Sequence, residues 1–303
     1  MTTSTPTRIL VPTDFSETAG HAVRYASNLA RRLGAHLTVL YADLFPAPVD
    51  FTATIGGWEE FSVENMKARA EEDLQRTAGT NVHPTVAYET LVRVDTPLDG
   101  ILATARETGA ELIVMGTHGR TGVRRLIIGS VTEAVMRLAP VPVIAVPPGS
   151  ATRTAFQTIV CPVIYTPQFL DALTFAARIA PPEARFILLR ATPADDPIES
   201  ANDLMTLRAW VPETIAARCE FKLLGDEHTA ERVEDLVKRT HADLIVAAEP
   251  ADRSPSDMLH GTFAARLVQH SDSPVLTMNA PAMIAASCSV RKEEQPELAA
   301  TTA

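Results

Sequence analysis

A glycine-rich segment is the part of the sequence whose residue types and spacing could bind a ligand. Residues 115–130 read MGTHGRTGVRRLIIGS and hold four of the 14 glycines in this 303-residue chain. Glycine lets a backbone approach a ligand closely, and the N-terminus of a helix offers free N–H groups to a negative charge. Because Gly116, Gly119 and Gly129 lead into Ser130 and a helical pattern, the segment predicts a phosphate-binding loop. A tight turn without a ligand is the alternative interpretation.

The elements that must position this loop are short apolar runs alternating with helical patterns. Strands are predicted at 9–12, 36–42, 82–89, 111–115 and 141–146. Runs almost free of polar alternation, separated by helices, are typical of a parallel sheet covered on both faces. Ligands of such sheets bind beyond the carboxyl ends of the strands. Asp14 follows the first strand and Gly116 follows the fourth, so both are predicted to lie at one site.

Helix-capping residues mark where the predicted helices begin and end. Ser16 and Thr96 each precede a helical pattern in the way an N-cap does, and Gly34 follows one as a left-handed C-cap would. SVTE at 130–133 also fits a capping box. The Ser130 hydroxyl therefore has two competing assignments, a helix cap and a phosphate ligand.

The sequence is an internal duplication. RILVPTDFSETAGHAVRYASNLA (8–30) matches TIVCPVIYTPQFLDALTFAARIA (158–180), and the segment 110–130 matches 242–262. A Pro/Gly/Ser/Thr-rich connector at 147–155 separates the two copies. We expect two α/β domains, 1–148 and 156–280, each an open parallel five-stranded sheet with helices on both faces. Residues 281–303 are expected to form a disordered tail.

Composition argues against several classes of protein. The net charge is −10 and aromatic residues make up 5%, which suits neither nucleic-acid binding nor attachment to an anionic membrane. The three cysteines show no paired spacing, so neither a disulfide framework nor a metal site is expected. Residues 1–10 lack a secretory signal pattern, and no run of apolar residues is long enough to cross a bilayer. We therefore expect a cytoplasmic protein with no membrane partner.

These motifs closely resemble those of the universal stress protein family, and in particular its tandem two-domain members. The family's nucleotide motif G-x2-G-x9-G-[S/T] is met by Gly116, Gly119, Gly129 and Ser130, and its P-x-D-x-S motif by Pro12, Asp14 and Ser16. The resemblance covers residues 8–148 well and 158–279 weakly. It implies a Rossmann-like fold similar to that of the adenine nucleotide alpha hydrolases. It also implies that this domain binds ATP, with Mg²⁺ as a candidate cofactor.

The resemblance also assigns roles to individual residues. It implies that Asp14 contacts the adenosine, that the Ala42 backbone meets the adenine, and that the glycine loop holds ribose and phosphates. The implied ATP site comprises Asp14, Ala42, Gly116, Gly119, Gly129 and Ser130. Further candidates on the phosphate side are Thr13, His118, Arg120 and Val131. The alternatives are a loop acid or a helix-capping residue for Asp14, an exposed loop histidine for His118 and a solvated basic loop for Arg120.

The second copy departs from the nucleotide motif. Ile164 stands where the first copy has Asp14, Ala248 and Ala251 replace Gly116 and Gly119, and Pro250 enters between them. Of the motif, Gly261 and Thr262 survive. Added methyl groups and a proline oppose a close approach of backbone to phosphate. We expect the second domain to bind no ATP and to pair with the first, as a homodimer partner does in single-domain relatives.

Three functions follow from this sequence. No GxxxxGK[ST] segment or other recognised catalytic pattern is present, which favours a regulatory or signalling protein in the stress response that binds ATP. A slow ATP hydrolase with the same site and a nucleotide-free scaffold are the alternatives. Whether two chains associate further into a homodimer stays open.

Overall fold

The computed structural model describes residues 5–45, 62–117, 128–152, 154–192, 197–225, 229–248 and 263–278. The first half of the chain contains β1 (Arg8–Pro12), α1 (Glu17–Leu33), β2 (His36–Asp43), α2 (Val63–Asn81), β3 (Tyr88–Val94), α3 (Pro97–Glu107), β4 (Leu112–Gly116), α4 (Ser130–Leu138) and β5 (Val143–Val146). The second half contains β6 (Thr158–Pro162), α5 (Pro167–Ile179), β7 (Arg185–Thr192), α6 (Pro197–Trp210), α7 (Glu213–Ala216), β8 (Cys219–Gly225), α8 (Thr229–Thr240), β9 (Leu244–Ala248), α9 (Phe263–His270) and β10 (Val275–Met278).

The predicted α/β fold is confirmed, and its two parallel halves join into one sheet. The ten strands lie in the order β3-β2-β1-β4-β5-β10-β9-β6-β7-β8. Among the described strands, pairing is parallel within each half and antiparallel only between β5 and β10, where Ile144 lies opposite Leu276. The chain order reverses between β1 and β4, which are neighbours although β2 and β3 come between them in sequence. Such a reversal is where open α/β sheets bind their ligands.

Helices cover both faces of this sheet, and each face has its own apolar core. One core gathers buried residues of β1, α1, α2, α5 and α6, including Val11, Leu29 and Phe169. The other gathers residues of α3, α4, α8 and α9, including Ile113, Val135 and Leu267. Strand residues buried on both sides read as continuous apolar runs, as observed in β1, β4 and β9.

Several predicted caps are observed in the structure. Ser16 accepts a hydrogen bond from the Ala19 N–H at 3.1 Å and begins α1. Gly34 ends the same helix with φ 67°, in the left-handed region. Thr96 accepts from the Asp99 N–H at 3.2 Å, with Pro97 in the first turn of α3.

The predicted third strand at 82–89 was wrong in its position. The chain continues as α2 to Asn81, turns through residues 82–87, and pairs with β2 only from Tyr88, which lies opposite Leu37. Val82 and Val86 are buried, but as residues of this turn and not of a strand. Their spacing around Pro84 imitates the alternation of a strand, while proline lacks the donor that a strand interior requires.

Among the described helices, none combines the length and apolar character that a membrane crossing would require. The predicted tail at 281–303 lies outside the described residues.

Candidate functional site

A cavity of about 330 Å³ opens at the carboxyl ends of β1, β2 and β4, where the strand order reverses. This volume falls within the usual range for small-ligand sites. Its lining comes from the loop after β1, the end of β2, the first turn of α3, the end of β4 and the first turn of α4. The predicted residues among the lining are Thr13, Asp14, Ala42, Gly116, Gly129, Ser130 and Val131.

The other three predicted residues, Gly119, His118 and Arg120, lie outside the described residues. Sequence reasoning also left out several residues that line the cavity: Pro12, Ala19, Tyr41, Asp43, Pro97, Ile101, Met115 and Thr132. Most of these are apolar strand or helix residues that carry no motif of their own, so only the folded arrangement identifies them.

The first turn of α4 forms one end of the cavity. Gly129 is the N-cap of the helix, and its N–H donates to the Thr117 carbonyl at 2.9 Å. The Thr132 hydroxyl donates to the Gly116 carbonyl at 2.9 Å, which fixes the helix to the end of β4. The N–H groups of a first helical turn have no partner within the helix, and they carry the positive end of its dipole. This end of the cavity is suited to an anion.

The predicted capping box at Ser130 was wrong. Ser130 is the first residue of α4 and not its cap, and Gly129 makes no side-chain cap. The Glu133 N–H donates to the Gly129 carbonyl at 3.0 Å, as in an ordinary helical turn. The exposed Ser130 hydroxyl is therefore not used as a helix cap, which removes the competing assignment that the sequence left open.

The end of β2 forms the other end of the cavity. Pairing between β1 and β2 stops at Pro12 and Leu40, and the Thr13 N–H donates to the Leu40 carbonyl at 2.8 Å. Backbone groups alternate between the two sides of a strand, so the N–H and C=O of Ala42 point to the same side as those of Leu40. No described residue pairs with Ala42 on that side. One donor and one acceptor thus face the cavity side by side.

The loop between β1 and α1 borders this end with a fixed backbone. The Asp14 carboxylate accepts from the Ser16 N–H at 3.0 Å, and the Thr13 hydroxyl oxygen accepts from the Phe15 N–H at 3.1 Å. Phe15 adopts φ 65°, which is uncommon for a residue other than glycine. Its ring stacks on that of Tyr41 with centroids 4.4 Å apart. Side-chain packing and short-range hydrogen bonds together hold Asp14 at the cavity.

Two glycines let the cavity walls come close together. A Cβ atom on Gly116 would lie 3.1 Å from Thr18 Cγ2 and 3.2 Å from the Thr18 carbonyl oxygen, against α1. A Cβ atom on Gly100 would lie only 2.7 Å from the Cβ of Ala42. Gly100 therefore allows α3 to pack directly against the strand end that presents the Ala42 backbone. Gly116 has a packing role whether or not a ligand is bound.

Asp43 is a second carboxylate at the cavity. Its Oδ2 accepts from the Tyr41 hydroxyl at 2.8 Å, and its Oδ1 accepts from the Phe45 N–H at 3.1 Å. Asp95, directly after the neighbouring strand β3, does not line the cavity in the described structure, and its carboxylate bonds to nearby groups. The Asp95 Oδ1 accepts from the Thr96 N–H at 2.8 Å, and Oδ2 lies 3.8 Å from Arg93 Nε.

The second half repeats the backbone of this site with different side chains. The Val163 N–H donates to the Leu189 carbonyl at 2.7 Å, as Thr13 does to Leu40. The half-buried Ile164 replaces Asp14, and the buried Ala248 replaces Gly116. Arg190, at the position of Tyr41, lies over the Tyr165 ring at 4.8 Å. Burial raises the pKa of the Tyr165 hydroxyl.

Two of the cysteines, Cys161 and Cys219, lie in the part of the chain that the structure describes, and both are free thiols. Cys161 is buried within β6, as expected of a small apolar residue, and burial raises the pKa of its thiol. Burial also raises the pKa of Cys219, to about 11. In the described ranges, no group of three or more His, Cys, Asp or Glu residues is arranged to hold a metal ion.

Known proteins resemble the first half of this chain in sequence. The sequence model of the universal stress protein family matches residues 6–147. A universal stress protein of Methanocaldococcus jannaschii is 32% identical over 139 residues, covering 46% of this chain and 81% of that protein. A putative universal stress protein of Staphylococcus haemolyticus is 34% identical over 146 residues, which are 46% of this chain and 82% of that protein.

A solved structure extends the likeness to both halves. The universal stress protein from Archaeoglobus fulgidus superposes with a TM-score of 0.67 over 90% of this chain and 98% of that chain, at 16% identity. At that identity the match shows the fold alone. The sequence identity across the first half, together with the shared fold, identifies this chain as a member of the universal stress protein family.

Proposed function

We propose that the chain binds ATP in the cavity of its first half and acts as a regulatory module of the stress response. One observation carries the proposal: a single cavity joins the N-terminus of α4 to the unpaired backbone of Ala42. The first end suits phosphates, and the second offers a donor and an acceptor. Adenine presents the complementary pair on one edge, in its ring N1 and its amino group.

Different groups of the cavity bind different parts of the nucleotide. The phosphate chain lies beside Gly129, against the Ser130 and Val131 N–H groups in the first turn of α4. The adenine lies at Ala42, against the apolar side chains of Ile101 and Met115. Asp14 is between these ends, beside the ribose, which matches the role that the family resemblance assigns to it.

The charge of the cavity favours a nucleotide that brings a cation. Asp14 and Asp43 line it, and its described lining includes no lysine or arginine. Two carboxylates oppose a bare triphosphate, because like charges repel strongly where water is partly excluded. A Mg²⁺ ion carried by the triphosphate would offset that charge at the α4 end, near Ser130.

The second half acts in this proposal as a built-in partner without a nucleotide. The side chains at Ile164 and Ala248 remove the carboxylate and the close backbone approach of the first site. Pairing of β5 with β10 joins the halves edge to edge. Domains 1–148 and 156–280 would thus form a pseudo-dimer, in which occupancy of one site is sensed across a shared sheet.

Calorimetric titration of ATP into nucleotide-stripped protein tests the proposal, with Ser130→Asp as the decisive variant. Gly116→Val would be a poor choice, because its side chain would collide with Thr18. An acidic residue in the first turn of a helix stabilises the helix by about 0.3–1 kcal/mol, while it repels phosphate. We expect Ser130→Asp to fold normally and to weaken ATP binding by about tenfold or more.

Thr262→Asp is the matched control, since Thr262 aligns with Ser130 in the second sequence copy. We expect one ATP per chain in the wild type and in Thr262→Asp. If stripped wild-type protein binds no ATP, with or without Mg²⁺, the proposed function is wrong. If Thr262→Asp loses binding as well, the assignment of the nucleotide to the first half is wrong.

A further inference from the structure

Asp43 places a carboxylate beside the backbone end of the cavity. It follows Ala42 in β2, and both residues line the cavity. Its backbone is turned away from the ligand side, because the Asp43 carbonyl accepts from the Asp95 N–H at 3.1 Å on the β3 side. What Asp43 can offer a ligand is therefore its side chain.

The Asp43 carboxylate is held in a fixed orientation and can still accept further hydrogen bonds. Each of its oxygens accepts one hydrogen bond, from the Tyr41 hydroxyl or from the Phe45 N–H. A carboxylate oxygen has two lone pairs, so both oxygens can accept again. Tyr41 is itself fixed by the stacked ring of Phe15, 4.4 Å away, and lies 6.0 Å from the ring of Phe45. An oriented acceptor of this kind needs little reorganisation to bind a donor.

An ionised carboxylate only accepts hydrogen bonds, which makes it selective among bases. Adenine carries an amino group at C6, with two N–H donors. Hypoxanthine carries a carbonyl oxygen at the same carbon, whose lone pairs would face the negative charge. Unsubstituted purine has neither group. The Ala42 carbonyl can accept only one of the two amino hydrogens, the one on the same edge of the base as N1. The second amino hydrogen is left for another acceptor.

We propose that Asp43 is a specificity-determining residue, whose carboxylate accepts the second amino hydrogen of a 6-aminopurine and disfavours 6-oxopurines. Tyr41 is a positioning residue that acts through Asp43. The inference rests on the proposed function, since it requires the base to lie at the Ala42 end of the cavity. It adds a residue of this chain that discriminates among nucleotides with the same phosphates.

The test is a comparison of three ligands: ATP, purine riboside 5′-triphosphate and ITP, each with Mg²⁺. We expect the wild type to bind them in that order, with about tenfold or more between ATP and ITP. The Ala42 carbonyl also favours ATP, so the informative quantity is the change in the ATP-to-ITP affinity ratio when Asp43 is replaced. We expect Asp43→Asn to lower that ratio several-fold, since an amide can donate to the oxygen of ITP.

Two further variants keep the test informative if Asp43→Asn folds poorly. Asp43→Thr introduces the residue found at the matching strand position of the second half, Thr192, and should also lower the ratio. Tyr41→Phe retains the carboxylate but removes the hydroxyl that orients it, so the ratio should fall part of the way. Tyr25→Phe is the matched control, because the buried Tyr25 hydroxyl has no hydrogen-bond partner in the described structure.

The outcomes separate this inference from the proposed function. If the wild type binds none of the three ligands, the proposed function fails and the inference fails with it. If the wild type binds ATP but Asp43→Asn and Asp43→Thr leave the ratio unchanged, the inference is overturned and ATP binding stands. A fall in the ratio for the Asp43 variants and Tyr41→Phe, but not for Tyr25→Phe, supports the inference.

Discussion

At the scale of single residues, glycines shape this site in two different ways. Gly129 caps the helix that faces the cavity, whereas Gly116 and Gly100 let secondary-structure elements approach each other. A Cβ atom on Gly100 would lie 2.7 Å from the Cβ of Ala42, a separation that requires α3 to move away from β2. The position of the Ala42 backbone thus depends on a residue in another element.

Gly100→Ala tests this dependence. Overpacking of a well-filled site costs about 1–3 kcal/mol, which outweighs the gain of about 1 kcal/mol in helix propensity. We expect a net loss of stability in urea unfolding together with weaker ATP binding. Gly79→Ala is the control, because a Cβ atom on Gly79 in α2 would meet nothing within 4 Å. Gly79→Ala should gain stability. A loss of stability in this variant would show that the space around a glycine does not predict the effect of replacing it by alanine.

The sequence predicted some of these residues and not others, for a physical reason. Gly116 and Gly129 belong to the motif spacing of the sequence, and both line the cavity. Gly100 lies within an ordinary amphipathic helix, and Asp43 is the last residue of the largely apolar strand β2, so neither carries a local signal. Their importance arises from contacts between elements, which a reading of local patterns does not contain.

At the scale of elements, helix caps decide where the site begins. Ser16 and Ser130 both precede helical patterns, but only Ser16 caps its helix with a side-chain hydrogen bond. Gly129 has the extended backbone of an N-cap, with ψ 138°, and its carbonyl accepts the first helical bond from the Glu133 N–H, so Ser130 lies inside the first turn. Sequence patterns locate helix ends to within a residue or two, and here one residue changes the role of the hydroxyl.

Replacing each serine by alanine should separate these roles. Ser16→Ala removes the acceptor of the Ala19 N–H, and we expect it to cost about 0.5–2 kcal/mol of stability. Ser130→Ala should change stability little, because no side-chain hydrogen bond caps α4, and it should lower ATP affinity, because Ser130 lines the cavity. Paired urea unfolding and calorimetry would measure both effects. An equal loss of stability in the two variants would contradict the assignment of Gly129 as the cap.

Strand positions illustrate the same limit of local patterns. The apolar runs of β1, β2, β4 and β5 were predicted closely, since they are buried on both faces. β3 lies at one edge of the sheet, and its sequence YETLVRV mixes exposed polar residues with a single buried valine, Val92. An edge strand has a weaker apolar signature, which is why the preceding turn was mistaken for it.

At the scale of the whole molecule, the duplication produces one continuous structure. Ile144 of β5 lies opposite Leu276 of β10, and both residues are completely buried. The connector is also attached to α1, since His21 Nε2 lies 3.1 Å from the Ser150 hydroxyl and the Asn28 amide donates to the Thr152 carbonyl at 3.2 Å. One core contains residues of both halves on the same face of the sheet.

This continuity predicts that the halves unfold together. Leu276→Ala removes a buried side chain at the junction and should cost about 2–5 kcal/mol. If the sheet is one cooperative unit, hydrogen-exchange protection should fall equally in β6 and in β1, although β1 lies in the other half. Met205→Ala, at a side chain 63% exposed, serves as the control and should change neither strand. Loss of protection in β6 with β1 unchanged would show two independent domains, and ATP binding could then not be sensed through the shared sheet.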